Sequence, residues 1–152
     1  HKGELYYLLG LTKLESDPNN FNHILELARQ ALTLKRYEES IDLSLRLRDL
    51  AKTDAHARAF IRTNRPFNID LEAEIYLLLS SAYLPLNRFA DALEVAKQAA
   101  LISPDRKEII QCYANCEVVS GSLDKAYQTL YELLMEAPDY PAAQLLLAII
   151  FC

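Results

Sequence analysis

Residues recur in this chain at an interval of 34: Pro104-Asp105 is followed by Pro138-Asp139, Ala92 by Ala126, Phe89 by Leu123 and Leu79 by Tyr113. A fixed period of this length requires like units, each too small to bury its own apolar face and therefore stacked on the next. The register also runs upstream across one interruption. Tyr37, Ser40 and Ile41 precede Phe89, Ala92 and Leu93 by 52, one period plus 18, and Pro18 precedes Pro104 by two periods plus the same 18. Inside a unit, Tyr76, Leu79, Ser80, Tyr83 and Leu86 lead into Asn87, followed by Phe89, Ala92, Leu93, Ala96, Ala99 and Pro104. Spacings of three and four predict two amphipathic helices joined by a tight turn.

On these residues the chain resembles the tetratricopeptide repeat (TPR) family, a helix-turn-helix repeat of this period. The resemblance implies an all-α, right-handed α-solenoid, with full units at 21–54, 73–106 and 107–140. It leaves a partial unit at 1–20, an insertion at 55–72 and a partial unit or cap at 141–152. Because the chain starts His-Lys and both ends fall inside a unit, it reads as one TPR domain from a longer protein. Small residues at Ala28, Ser80, Ala114 and Ala148 on first helices, and at Ser40, Ala92 and Ala126 on second helices, would let paired helices approach closely. The family pattern is incomplete: tryptophan is absent, no proline closes the first unit after Leu50, and Ser44 stands where an aromatic is usual.

Composition agrees with close-packed helices, since 51% of the 152 residues are hydrophobic and only 3 are glycine. No uninterrupted apolar run reaches the ~18 residues that a membrane-spanning helix needs. With 21 acidic against 16 basic residues the net charge is −5, which argues against general attraction to nucleic acid or anionic lipid. The insertion is the local exception, holding His56, Arg58, Arg62 and Arg65 beside Phe60, Ile61, Phe67 and Ile69. One reading is a second helix that runs on through Arg62, then a loop that Arg65-Pro66 keeps extended. The other is a segment, with contacts from Arg58, Arg62, Arg65 and Phe67, that docks an acidic partner or folds over the groove.

No constellation for catalysis, a cofactor or a metal emerges. Cys112 and Cys116 lie one helical turn apart, but no second Cys or His pair follows to complete a structural zinc site, so both read as small buried helix residues. Three cysteines make no disulfide framework and fit a reducing compartment such as the cytoplasm. The serines lack the nucleophile-elbow pattern, and the glycines form no phosphate-cradling loop. Gly121 sits at a helix break, where a left-handed backbone is useful.

In TPR arrays the first helices line a concave groove, and carrying that geometry over names the groove candidates. They are Leu25, Arg29, Leu32 and Thr33 from the first unit, Leu77, Ser81 and Leu84 from the second, and Gln111, Asn115, Val118 and Val119 from the third. A clamp for a terminal carboxylate would need lysine where Leu25, Leu77 and Gln111 stand, so the resemblance points to a groove for an amphipathic helix or an extended peptide. The expected function is a protein-interaction scaffold within a larger assembly. The alternative is a chaperone, like those of secretion systems, that holds an unfolded client segment. The apolar run from Leu145 to Phe151 offers a route to self-association.

Overall fold

The computed structural model describes residues 2–63 and 70–151 and assigns them to helices and short turns, with no strand among them. In chain order the helices are α1 (Lys2–Ser16), α2 (Phe21–Thr33), α3 (Tyr37–Thr53), α4 (Ala55–Thr63), α5 (Leu71–Tyr83), α6 (Phe89–Ile102), α7 (Lys107–Val119), α8 (Leu123–Glu136) and α9 (Pro141–Ile150). A short 3-10 turn, Leu84–Leu86, joins α5 to α6. The architecture is the all-α TPR superhelix that the period predicts.

The turns inside successive helix pairs share one backbone geometry. Lys35, Asn87 and Gly121 occupy equivalent positions and all have positive φ, at 62°, 60° and 83°. At each turn the next residue donates its N–H five residues back: Arg36 to the carbonyl of Ala31 (2.8 Å), Arg88 to that of Tyr83 (3.2 Å) and Ser122 to that of Glu117 (2.9 Å). The left-handed residue itself donates to Leu32, Leu84 or Val118. This pair of bonds satisfies the free carbonyls at the end of the first helix and turns the chain back on itself. Only Gly121 takes that conformation without a steric penalty at Cβ.

Close approach of each pair depends on the small residues named above. Ala28 and Ser40, Ser80 and Ala92, and Ala114 and Ala126 are all fully buried. The Ser40 hydroxyl donates to the carbonyl of Ala28 (2.9 Å), and the Ser80 hydroxyl donates to the carbonyl of Ala92 (3.2 Å). The two serines thus satisfy their buried hydroxyls from opposite helices of equivalent pairs. Ala148, at the corresponding position of α9, is exposed, because no second helix packs on it.

Each pair then stacks on the next. α3 packs on α5, α6 on α7 and α8 on α9, while the inner helices also touch in series, α2 with α5, α5 with α7 and α7 with α9. The outer helices α3, α6 and α8 make no comparable series. Inner helices that lie closer together than outer ones bend the stack, so α2, α5, α7 and α9 line its concave side. The main core runs from Tyr7 through Cys116, and a smaller cluster of Ala114, Leu130, Leu133, Ala143 and Leu146 holds the C-terminal end.

Two features depart from the regular array. α1 lies against α2, where Gly10 makes room: a Cβ there would come within 2.6 Å of Leu27 Cδ2. His23 Nε2 donates to the Gly10 carbonyl across the same contact (2.7 Å). The second helix of the first pair does not run on through Arg62 as one reading expected. It ends at Thr53, and Asp54, in extended conformation, starts α4 by accepting from the Ala57 N–H at 3.3 Å. Asp is a favoured residue for such a start, which is why the helix breaks there without Gly or Pro.

Candidate partner-binding surfaces

Equivalent positions of the inner helices form rows across the concave side. One row is Leu25, Leu77, Gln111 and Leu145, and the next is Arg29, Ser81, Asn115 and Ile149. Exposure along the first row rises from 3% at Leu25 to 65% at Leu145, with Leu77 and Gln111 half-buried between them. Leu25, expected in the groove, therefore belongs to the main core. Leu32, Leu84, Ser81, Asn115 and Val118 are half-buried, Thr33 is exposed and Val119 is 41% exposed.

Leu145 and Ile149, both more than half exposed, extend the apolar surface along α9. Sequence reading assigned them only to an uncovered end. The signal that finds them is one further step of 34 from Gln111 and Asn115.

A chain of charges links three of the inner helices. Arg106 ion-pairs with Glu74 and with Glu108, each at 2.6 Å, and Arg29 reaches Glu26 at 3.4 Å and Glu74 at 4.0 Å. Glu74 and Arg106 are largely shielded, so the chain of charges ties α2, α5 and α7 together. Hydrogen bonding from its own backbone N–H, then from Arg106, holds the Glu108 carboxyl below its ordinary value. Arg29 stays 42% exposed at its side chain, and Asn115 follows it in the same row, between Ser81 and Ile149.

Cys112 and Cys116 meet Ser80 across the α5–α7 contact, with Sγ to Oγ distances of 3.5 and 3.3 Å. Cys116 is fully buried and its thiol is pushed up by its hydrogen bond to Cys112 and by burial, while Cys112, half-buried, is pulled down by the same bond. The pair packs one inner helix against the next. Among the described residues no group of three or more His, Cys, Asp or Glu side chains could hold a metal ion. No helix among them is long and apolar enough to cross a membrane.

A second surface forms where the insertion meets the array. Ala57 and Ile61 bury one side of α4, Phe60 stacks obliquely on Phe21 with ring centroids 5.5 Å apart, and Arg58 and Arg62 face outward. A cleft of about 360 Å³ lies between α4 and the start of α5, lined by Ala55, Arg58, Ile61, Arg62 and Glu72. Arg65 and Phe67, the other expected insertion contacts, lie outside the described residues.

Residues 84–150 match the model of the family described as tetratricopeptide repeat. No curated protein matches the chain in sequence. Two crystal structures titled MamA are similar in fold at 16% identity. One has a TM-score of 0.76 and covers 95% of this chain and 74% of its own. The other has a TM-score of 0.78 and covers 99% and 72%. Paired helices, a left-handed turn repeated in register and the family match lead to one conclusion: residues 84–150 carry the tetratricopeptide repeat, whose fold generally serves protein interaction rather than catalysis, and the helix pair upstream repeats the same turn.

Proposed function

We propose that this array is a non-catalytic scaffold that holds an amphipathic helix or extended peptide of a partner protein in its concave face, within units at 21–54, 73–106 and 107–140. The observation that carries the reading is the apolar surface of the inner helices: Leu77, Leu84 and Val118 half-buried, and Val119, Leu145 and Ile149 exposed. Apolar steps at helical spacing, with Ser81, Gln111 and Asn115 between them, suit a ligand that supplies its own apolar stripe and a few hydrogen bonds. Leu25 is excluded from contact by its burial, and Arg29, 42% exposed at its side chain, remains available to an acidic group of the ligand.

Leu77→Asp combined with Leu84→Asp should abolish capture of the partner by this protein while helical content by circular dichroism is unchanged. Undiminished capture by the folded double variant would remove the concave face from the account.

The reading extends to self-association at the C-terminal end. Tyr127 stacks on Tyr131 (6.2 Å between centroids) and meets Phe151 edge-on (5.7 Å), and Tyr131, Met135 and Phe151 remain at least half exposed. Such a patch supports pairing with a second copy. Light scattering across a dilution series should then show a dimer that Tyr131→Glu with Met135→Glu converts to monomer.

A further inference from the structure

The surface beside α4 gathers cations from two helices that are separate in sequence logic. Arg58 and Arg62 stand one turn apart on α4, and Arg48 and Lys52 stand one turn apart on α3. The α3 pair lines a separate, smaller hollow of about 40 Å³ with Ala51, Ile75 and Tyr76, and Glu72 lines both hollows. Within a chain of net charge −5, each of two hollows that meet at Glu72 is therefore lined by two cations, and Glu72 is the one carboxylate among the residues that line them.

Their partners do not account for them. Lys52, Arg58 and Arg62 are exposed and make no ion pair among the described residues. Arg48 reaches only Asp49, its neighbour in sequence, at 3.7 Å, and its Nε is shielded from solvent with no hydrogen-bond partner. Like charges one helical turn apart disfavour the helix that carries them, so the two pairs gain nothing for folding. Burial of Ala57 and Ile61 is what orients α4 so that the next residue after each, Arg58 and Arg62, borders the cleft.

We infer that this cleft docks an acidic peptide segment of a protein partner, its carboxylates on Arg58 and Arg62, and that the segment continues past Glu72 to Lys52 and Arg48 with an apolar side chain against Tyr76. Charge complementarity selects the occupant, since the rest of the chain repels an acidic segment and this hollow attracts it. A volume of about 360 Å³ lies within the range of clefts that enclose a small ligand, enough for a few residues of an extended chain. None of its lining residues belongs to the two rows of the concave face, so it would add a second attachment point and raise avidity for a partner that reaches both.

The test is fluorescence anisotropy with a labelled peptide of alternating glutamate and leucine, titrated with the whole chain. Binding should weaken as salt is raised, and Arg58→Glu with Arg62→Glu should weaken it by about tenfold or more. Lys52→Glu should weaken it to a lesser degree, and Leu77→Asp with Leu84→Asp should leave it unchanged. Equal binding of the same peptide with glutamine in place of glutamate would overturn the proposal. So would unchanged binding by the folded arginine variant, or loss of binding in the leucine variant, which would assign the peptide to the concave face. Tighter binding of a single-stranded oligonucleotide, lost with the same arginines, would overturn the protein partner.

Discussion

The first and last repeats use equivalent positions to opposite ends. On α2, Leu25 is 3% exposed and Ala28 is fully buried, whereas on α9 the matching Leu145 is 65% exposed and Ala148 is open to solvent. Helix type, spacing and side-chain class are the same at both places. The difference is the neighbours: among the described residues α2 packs against α1, α3, α4 and α5, while α9 packs chiefly against α7 and α8. In a stack, then, the period fixes which way a side chain points, and the adjoining units fix whether it is packed or left exposed.

That comparison can be broken most directly at its largest contrast. Leu25→Ala should cost about 2–5 kcal/mol in urea unfolding, because it opens a cavity in the main core. Leu145→Ala should stay within about 0.5 kcal/mol of the parent chain. Similar costs for the two would show that the ends of the array are equivalent after all.

Overpacking gives a somewhat smaller contrast. Ala28→Leu should lose about 1–3 kcal/mol, since Ser40 and its bond to the Ala28 carbonyl leave no room for a larger side chain. Ala148→Leu should shift the thermal midpoint little, as nothing packs against it.

The turns offer a finer comparison. No atom lies within 4 Å of a Cβ built on Gly121, so Gly121→Ala tests conformation alone and should cost about 1 kcal/mol. Lys35→Gly, at φ 62°, should instead be neutral or gain a few tenths of a kcal/mol. A destabilising Lys35→Gly would mean that the side chain contributes more than its backbone strain removes.

The smallest effect is a pH dependence peculiar to the N-terminal end. Tyr7 is fully buried and its hydroxyl donates to Glu39 at 2.6 Å, while Arg36 bridges Glu39 and Glu4. Burial first, then the Glu39 bond and charge, push the phenol above its ordinary 10.0. Folding favours the neutral phenol, so its contribution is complete below pH 10 and is lost as pH rises toward the folded value. Unfolding scans of Tyr7→Phe should therefore lack part of the alkaline destabilisation seen in the parent chain.

Most of the architecture was readable from the interval of 34, because stacking demands the same small residues and the same turns in every unit. Ala28, Ser80, Ala114, Ser40, Ala92 and Ala126 all lie where the spacing put them. The break at Asp54 was harder, since a capping carboxylate resembles any other acid on an exposed helix face. Burial of Leu25 depends on helices that surround it in space, which one helix's periodicity does not report. The basic cleft was half visible: Arg58 and Arg62 stood out in the insertion, but Arg48 and Lys52 join them only because α3 folds beside α4.

The central claim is that partners bind the inner helices, and hydrogen–deuterium exchange of the parent protein, alone and with its captured partner segment, tests it most directly. Binding in the concave face predicts slower exchange in α5, α7 and α9 with α6 and α8 unchanged. Protection of α6 and α8, with α5 and α7 exchanging as before, would contradict it.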